Sequence, residues 1–412
     1  MADDSISIRT IEADELVQWA NHTARAFGGS RREDEVDEYL RPHMVYRDAF
    51  GAFDGDEVVG TAHHEPAPLT LPGGVVLDCA GLTRVSVSST HRRRGIVRQM
   101  LTSLLRQVRE DGVALSSLWA SEAPIYGRFG YGLATVHESW KLDRRDGFAW
   151  WAPQATGRVR FITTEDARTA LPPLFEEHAR RHPGASPRIA YRWDSILDDR
   201  EQDRHGASPL SIVTYEDGAG DVQGYATYRL KGDWPNGIPS AELAVSEVVA
   251  LTPEAEIGLW RYLLSVDLVG TVTANDQPLD AALPWALADF RRIERRQRDG
   301  LHLRVLDIPR AFQARAYLAS DRVVFEVPDD FLPETGGRFV LDATPDGAQV
   351  TTTDEEPDLV LRPAAAGSLL LATAPASLLG RAGLIEERVD GALARADELF
   401  RWTEPPRTLY HF

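Results

Sequence analysis

The sequence holds 412 residues, of which 43% are hydrophobic, with a formal net charge of −18. That describes a globular chain with room for two to four packed domains. The charge argues against a general nucleic-acid binder and favours cationic partners, although acidity also serves plain solubility. A single cysteine, Cys79, rules out an internal disulfide and fits a reducing cytoplasm. Its setting, V-V-L-D-C-A-G-L, reads as a small buried residue rather than a nucleophile. The start, M-A-D-D-S-I-S-I-R, lacks the apolar run of a signal peptide. No uninterrupted apolar stretch reaches bilayer length. Neither H-E-x-x-H nor paired C-x-x-C occurs, so no metal is expected.

Taken in order, Ser5–Ile11 alternates and predicts a strand. Asp14–Phe27 predicts a helix, with Leu16, Val17, Trp19, Ala20 and Ala24 apolar and Gly28-Gly29 closing it. Arg31–Arg41 carries Glu33, Asp34, Glu35, Asp37 and Glu38, which read either as the mouth of a site for a polycation or as a solvated helix face. Gly51–Ala62 predicts a hairpin turning at Asp54-Gly55. Strands follow at Val75–Asp78 and Leu82–Ser88. Thr90 is placed to cap a helix whose apolar positions are Ile96, Val97, Met100, Leu101, Leu104, Leu105 and Val108. Between strand and helix stand His91, Arg92, Arg93, Arg94 and Gly95. Three arginines in a first helical turn oppose the helix dipole. That placement makes sense where an anion docks, and Gly95 lets a ligand approach the backbone. The alternatives are a solvated basic helix start or a small nucleic-acid patch. Ala114–Ala120 predicts a strand, then Ser121, Glu122 and Pro124 begin a loop. The run Tyr126-Gly127-Arg128-Phe129-Gly130-Tyr131-Gly132 predicts a tight, fixed loop, which otherwise only closes a sheet.

Near Val159 the pattern restarts, with a strand, V-R-F-I-T-T-E-D-A, and a helix at Leu171–Arg181. Asp221–Ala226 (D-V-Q-G-Y-A) repeats Asp56–Ala62 (D-E-V-V-G-T-A), and Val248–Ile257 loosely repeats the stretch that begins V-S-V-S-S-T-H. A helix at Gly258–Val266 and a strand at Gly270–Thr273 complete a second copy of the α/β unit. Glu254, Ala255 and Glu256 stand where the first copy has Arg92, Arg93 and Arg94, and carboxylates there repel a pyrophosphate. From Leu301 the character changes. Strands are predicted at Leu301–Pro309, Val323–Val327, Gly337–Asp342, Ala348–Thr353 and Asp358–Leu361, with helices at Ala364–Thr373, Ala376–Ala382 and Asp390–Phe400.

The arginine loop resembles the acetyl-CoA motif of the GNAT superfamily, Arg/Gln-x-x-Gly-x-Gly/Ala, with Val97 in place of the final small residue. Together with W-A-S-E-A-P-I-Y-G-R-F-G-Y-G at Trp119–Gly132, it resembles the enhanced intracellular survival (Eis) family of aminoglycoside N-acetyltransferases. The segment G-R-F-V-L-D…E-P-D-L-V-L-R…G-R-A-G-L-I-E is similar to the sterol-carrier-like domain that closes those proteins. The resemblance implies a mixed α/β and α+β fold: a catalytic GNAT domain over 1–150, a degenerate GNAT-like domain over 151–300 and a sterol-carrier-like domain over 301–412. A lipid-carrier role does not follow from fold alone.

The resemblance also implies chemistry, direct transfer of acetyl from acetyl-CoA to an amine in a ternary complex. Arg92, Arg93, Arg94, Gly95, Ile96, Val97 and Arg98 would hold the pyrophosphate, and Val85, Ser86 and Val87 would lie along the pantetheine with the Val87 N–H toward the acetyl carbonyl. Ser121 and Glu122 are grouped with these cofactor-contacting residues. Tyr126 would be the general acid and the terminal carboxylate of Phe412 the general base, with Glu122 or His411 as rivals. A homohexamer of two trimers, and a polycationic acceptor acetylated at several positions, are further implications. Acetylation of protein lysines or of other small amines, and a non-enzymatic apolar-ligand carrier, are the competing functions. Trp119 stands where some family members have His, which alters the acceptor pocket.

Overall fold

The computed structural model describes residues 6–30, 32–144, 147–233, 235–408 and 411. Ser5 and Arg31, which begin two of the expected elements, and Phe412 lie outside the described residues. The chain opens with β1 (Ile6–Thr10), α1 (Leu16–Ala26), α2 (Glu33–Tyr39), β2 (Ala49–Asp54), β3 (Glu57–Pro66), β4 (Leu69–Thr70) and β5 (Val76–Leu77). There follow β6 (Cys79–Val87), α3 (Ile96–Glu110), β7 (Leu115–Trp119), α4 (Ala123–Tyr126) and β8 (Gly132–Leu133). The middle of the chain holds β9 (Val136–Asp143), β10 (Arg158–Phe161), α5 (Thr164–Arg181), α6 (Ala190–Leu197), β11 (Ser211–Glu216), β12 (Val222–Lys231) and β13 (Ala241–Ala250). It continues with α7 (Pro253–Leu263), β14 (Val269–Gln277), α8 (Leu283–Ala286) and β15 (Ile293–Asp299). The last part is β16 (Leu301–Val305), α9 (Ile308–Ala314), β17 (Asp321–Val327), β18 (Gly337–Thr344), β19 (Gly347–Thr352) and β20 (Leu359–Leu361). It ends with α10 (Pro363–Leu370), α11 (Ala376–Arg381), β21 (Ile385–Glu387) and α12 (Ala392–Phe400).

Among the described residues these strands form three main sheets. Their orders are β1-β2-β3-β6-β7-β16-β8, β10-β11-β12-β13-β14-β9-β15 and β19-β18-β17-β20-β21. The first two repeat one plan, antiparallel except for one internal parallel pair, β6 with β7 and β13 with β14. The two sheets also exchange strands. β9 leaves the first unit and pairs with β14 and β15 of the second. β16, expected to open the third unit, pairs antiparallel with β7 and β8 of the first sheet.

Each sheet is closed by the face of a helix. Ile96, Met100, Leu101, Leu104, Leu105 and Val108 all fall on the buried side of α3, against Phe50, Ala52, Val59 and Leu82. Each such side chain contributes about 1.5–3 kcal/mol of burial. The third sheet, α10 and α12 share one continuous core with Leu115, Leu301, Leu303 and Val305, so the last unit is welded to the first. One helix starts earlier than its sequence suggests. Leu171 is its expected start, yet α5 runs from Thr164 through Pro172-Pro173, although proline removes backbone bonds. Thr163 caps it, accepting from Asp166 N. Cys79 is buried, and burial pushes its thiol up to about 12, as expected of a packing residue. No helix is long and apolar enough to cross a membrane among the described residues.

Candidate active site

The site begins where two parallel strands part. β6 and β7 pair at Cys79, Ala80 and Gly81 against Leu115, Ser116 and Ser117, and then separate. Beyond that point β6 runs to Val87 against β3, while β7 turns to β16. Among the described residues the β6–β7 ladder thus ends at Gly81. A register shift between Thr61 and His63 sets Arg84 and Val85 opposite one residue of β3, and Arg84 takes φ +53°. Such a bulge bends its strand. The Thr61 hydroxyl donates to Arg84 O at 2.7 Å and lies 2.7 Å from Ser86 Oγ, which fixes the bend. Ser88 N donates to Val59 O at 2.9 Å. Backbone groups alternate along a strand, so the Val87 N–H faces the gap.

At the wide end of the gap is the arginine loop. Ser89–His91 form a turn of 3-10 helix, Arg93 has φ +64° and Gly95 has φ +80° as the N-cap of α3. The arginines thus lie ahead of the helix rather than in its first turn. Thr90 does not cap α3 as expected, because the loop places five residues between them; its hydroxyl sits 2.8 Å from His91 Nδ1. α3 has neither a side-chain cap nor an acid in its first turn, so its end is electropositive. Arg92 and Arg93 are exposed and Arg94 is half-buried. Ile96 is buried in the first core and Val97, partly buried, packs against it. Arg98 is tied to the third unit, donating to Asp330 O at 3.2 Å, with its guanidinium 5.2 Å from the Phe331 ring centre.

At the narrow end lies Tyr126, the last residue of α4 and only 6% exposed. Its ring meets Tyr131 edge-on at 6.2 Å. The Tyr131 hydroxyl is 2.7 Å from Ser116 Oγ, and Ser116 donates to Ala80 O at 3.0 Å, so this loop is bonded to the point of parting. Burial raises the Tyr126 phenol above its ordinary value; the Ser121 hydroxyl opposes the rise and the Glu122 carboxylate adds to it. Ser121 and Glu122 are exposed on the turn before α4. Arg304 of β16, fully buried, locks the loop. It donates to Phe129 O and pairs with Asp329 at 2.5 Å. Gly130 has φ +81°, and a Cβ on Gly132 would fall 1.7 Å from Ala364 O, so neither position admits a side chain.

On the α1 and α2 side of β6 is a cavity of about 350 Å³, lined among others by Tyr39, His63, Glu65, Arg84, Tyr191 and Arg192. Glu65 is buried, with Arg192 against it and Arg84 at 3.8 Å. Arg84 also meets His63 Nδ1 at 3.1 Å, and burial holds His63 well below the ordinary imidazole value, hence neutral. His22 of α1 bridges Ser86 Oγ and Ser88 Oγ at 3.0 and 2.9 Å, and burial lowers its pKa as well. The carboxylates of α2 point elsewhere. Arg32 holds Asp34 and Arg41 holds Asp37 in exposed pairs, and the helix end contributes Tyr39 to the cavity instead. His22, Glu65, Arg84, Arg192 and Arg304 escape motif reading. Only Arg84 and Arg304 leave a signal, as charges inside otherwise apolar strand patterns.

Phe412 lies outside the described residues, but its neighbour is placed. The His411 ring stacks on Trp119, the last residue of β7, at 3.7 Å, and its Nε2 is 3.0 Å from Asp276. His137 approaches the same carboxylate at 3.2 Å. His411 thus stands beside the first gap.

Comparison with known proteins agrees with this architecture. Acetyltransferase (GNAT) domain models match residues 7–134 and 184–305, and a sterol carrier protein domain model matches 308–408. An uncharacterized N-acetyltransferase of Streptomyces avermitilis is 36% identical over 398 residues, 95% of this chain and 96% of the relative. The N-acetyltransferase Eis of Mycobacterium bovis is 35% identical over 381 residues, 90% of this chain and 89% of that one. The crystal structure of Eis1 from Mycobacterium abscessus matches with a TM-score of 0.85 at 30% identity, covering 99% of this chain and 100% of that chain. These matches decide for an enzyme over a carrier module, and the chain belongs to the Eis family of GNAT N-acetyltransferases.

Proposed function

We propose that the enzyme moves acetyl from acetyl-CoA directly to amino groups of a polycationic small molecule, an aminoglycoside being the leading class, in a ternary complex and at more than one position. The observation that carries the reading is the convergence of three features on one gap: a parallel strand pair that parts after Gly81, an electropositive helix end behind Arg92–Gly95, and a buried protonated phenol. The fit to a CoA thioester rests on the same features. Residues 82–87 offer backbone groups to an extended pantetheine, and a Cβ on Gly95 would meet nothing closer than Gln99 Nε2 at 3.9 Å. The thioester supplies an acyl group on a good leaving sulfur.

The chain's residues then divide the work. Backbone N–H groups at 93–98 and the Arg92 and Arg93 guanidinium groups bind pyrophosphate, with Arg94 and Arg98 adding charge. The Val87 N–H donates to the carbonyl oxygen as charge grows there. The acceptor nitrogen bonds to the carbonyl carbon, the carbon–sulfur bond breaks, and Tyr126 gives its proton to the departing sulfur. The phenol is buried and raised, so it starts protonated at neutral pH. The proton lost by the amine passes to the terminal carboxylate of Phe412; His411 stacked on Trp119 supports that placement. Ser121 and Glu122 border Tyr126, and Glu122 is the rival base.

The net charge of −18 supports a polycation. Arg84 and Arg192 in the cavity on the α1 and α2 side of β6 favour a second reading, a small amine that also carries an anionic group. The homohexamer implied by the resemblance is supported by exposed Trp151 and Trp285, apolar surface suited to burial between copies. The test is thiol release from acetyl-CoA with aminoglycosides, polyamines, amino acids and lysine peptides, with acetyl groups counted by mass. Several acetyl groups on one aminoglycoside support the first reading; acetylation of amino acids or peptides alone replaces it. Removal of Phe412, or a tag after it, is expected to abolish turnover, and full activity would return the base to Glu122 or His411.

A further inference from the structure

The second sheet repeats the gap of the first. β13 and β14 pair from Ala241 and Val269 to Val245 and Ala274, then part, β13 continuing along β12 and β14 along β9. α7 starts beyond that gap as α3 starts beyond the first. The chemistry at its end is inverted. Thr252 caps α7 by accepting from Ala255 N, and Glu254 and Glu256 fill the first turn. Acids there suit the helix dipole and repel a pyrophosphate.

Arg407, from the chain's own C-terminal tail, borders this second gap. Arg407 N donates to Pro183 O at 2.8 Å, and the Thr408 hydroxyl donates to Gly184 O at 2.6 Å. The Arg407 guanidinium grips Asp280 at 2.8 and 2.7 Å, with 15% of its side-chain surface open. It borders a residual cavity of about 50 Å³ with Val248 and Ala250 of β13, Gln277 of β14 and Glu256 of α7. Burial raises the Glu256 carboxyl and Arg407 draws it back down. Three residues after Thr408, His411 is held between Asp276 of β14 and Trp119 of β7. The described residues of the tail therefore touch both gaps, Arg407 at the second and His411 at the first.

We propose that the degenerate GNAT unit uses its former cofactor gap as a holder for the C-terminal tail, with Arg407 as anchor and His411 as tip clamp, and that both are positioning residues for acetyl transfer in the first unit. The proposal deepens the reading of Phe412 as base and rests on it. A displaced carboxylate costs turnover, because about 1 Å of misplacement reduces rates up to roughly 100-fold.

The experiment compares Arg407→Ala, His411→Ala and Asp276→Asn with the parent full-length protein. It reads two signals, release of free phenylalanine by a carboxypeptidase that prefers aromatic ends, and steady-state kinetics with acetyl-CoA and a responsive amine. Faster trimming, with kcat down about 10–100-fold and KM for acetyl-CoA unchanged, is the expected result. Unchanged trimming, or faster trimming with unchanged kcat, overturns the positioning role. If Arg407→Ala fails to fold, the two tip variants decide, since His411 is half-exposed. Deletion of Phe412 separates the two ideas. Full activity after deletion sinks the carboxylate as base, whereas the trimming rates judge the holder independently.

Discussion

Replacing Arg304 with alanine tests whether one buried ion pair holds the catalytic loop. The guanidinium donates to Phe129 O, Asp329 and Thr335, the last at 3.0 Å, and its carbon lies 5.4 Å from the Phe331 ring centre. Breaking a buried pair by removing one partner costs about 3–5 kcal/mol. Asp329 would keep three donors, Phe331 N at 2.9 Å, Leu332 N at 2.8 Å and the Thr335 hydroxyl at 2.8 Å. The loss therefore falls near the lower figure, about 3 kcal/mol. It arises between residues 129, 304 and 329, so it should appear in the transition that unfolds the first and third units together. Denaturant titration followed by tryptophan fluorescence gives the stability; thiol release at low temperature, with the variant still folded, gives the turnover. Turnover should fall about tenfold or more, because Tyr126 loses the support of its loop. A stability loss below about 1 kcal/mol, or unchanged turnover, would refute the claim that Arg304 fixes Tyr126.

Other outcomes follow from the same geometry. Tyr126→Phe should lower kcat by about 10²–10⁴ while leaving acetyl-CoA affinity near the parent value; equal losses in both would remove it as the acid. Arg92→Glu with Arg93→Glu should raise KM for acetyl-CoA and weaken its dependence on salt, but leave a truncated thioester without pyrophosphate unaffected; an equal loss with the truncated donor would place the arginines elsewhere. His182 is lowered to about 4 by burial, so the folded state binds its proton less readily than the unfolded chain. Stability should then decline as pH falls from about 6.5 toward 4, by up to about 3 kcal/mol from this group, with His178 acting in the same direction. Acid titration of a His182→Gln variant that matches the parent would show the drop belongs to other groups.

The features that were legible in the sequence are local. The arginine loop, the aromatic-glycine turn, the acidic replacement at Glu254 and Glu256, and the apolar faces of α3 and α7 are each written within about a dozen residues. What the sequence conceals is held by distant pairing. Nothing in V-S-V-S-S states that β6 leaves β7 after Gly81, because a strand's partner is chosen by the whole sheet. Arg304 meets Phe129 across 175 positions and Arg192 meets Glu65 across 127, beyond the reach of any motif. Thr90 resembles a cap and suggests an earlier start for α3, whereas the positive φ values of Arg93 and Gly95 insert a loop first. The role of Phe412 came from family resemblance, not from any pattern in L-Y-H-F.

The strand exchange bears on how the molecule is made. β7 emerges from the ribosome with one edge bare, and its neighbour β16 begins about 180 residues later. At about 5–20 residues per second, that is roughly 10–40 s during which a nascent first sheet presents an unpaired hydrogen-bonding edge. A chain stalled or truncated between Trp119 and Leu301 would keep that edge indefinitely and would pair with another like itself. Genetic fusions and split variants of this enzyme should therefore respect residue 305, rather than the end of the arginine-loop unit, as the earliest point at which the first sheet has all its strands.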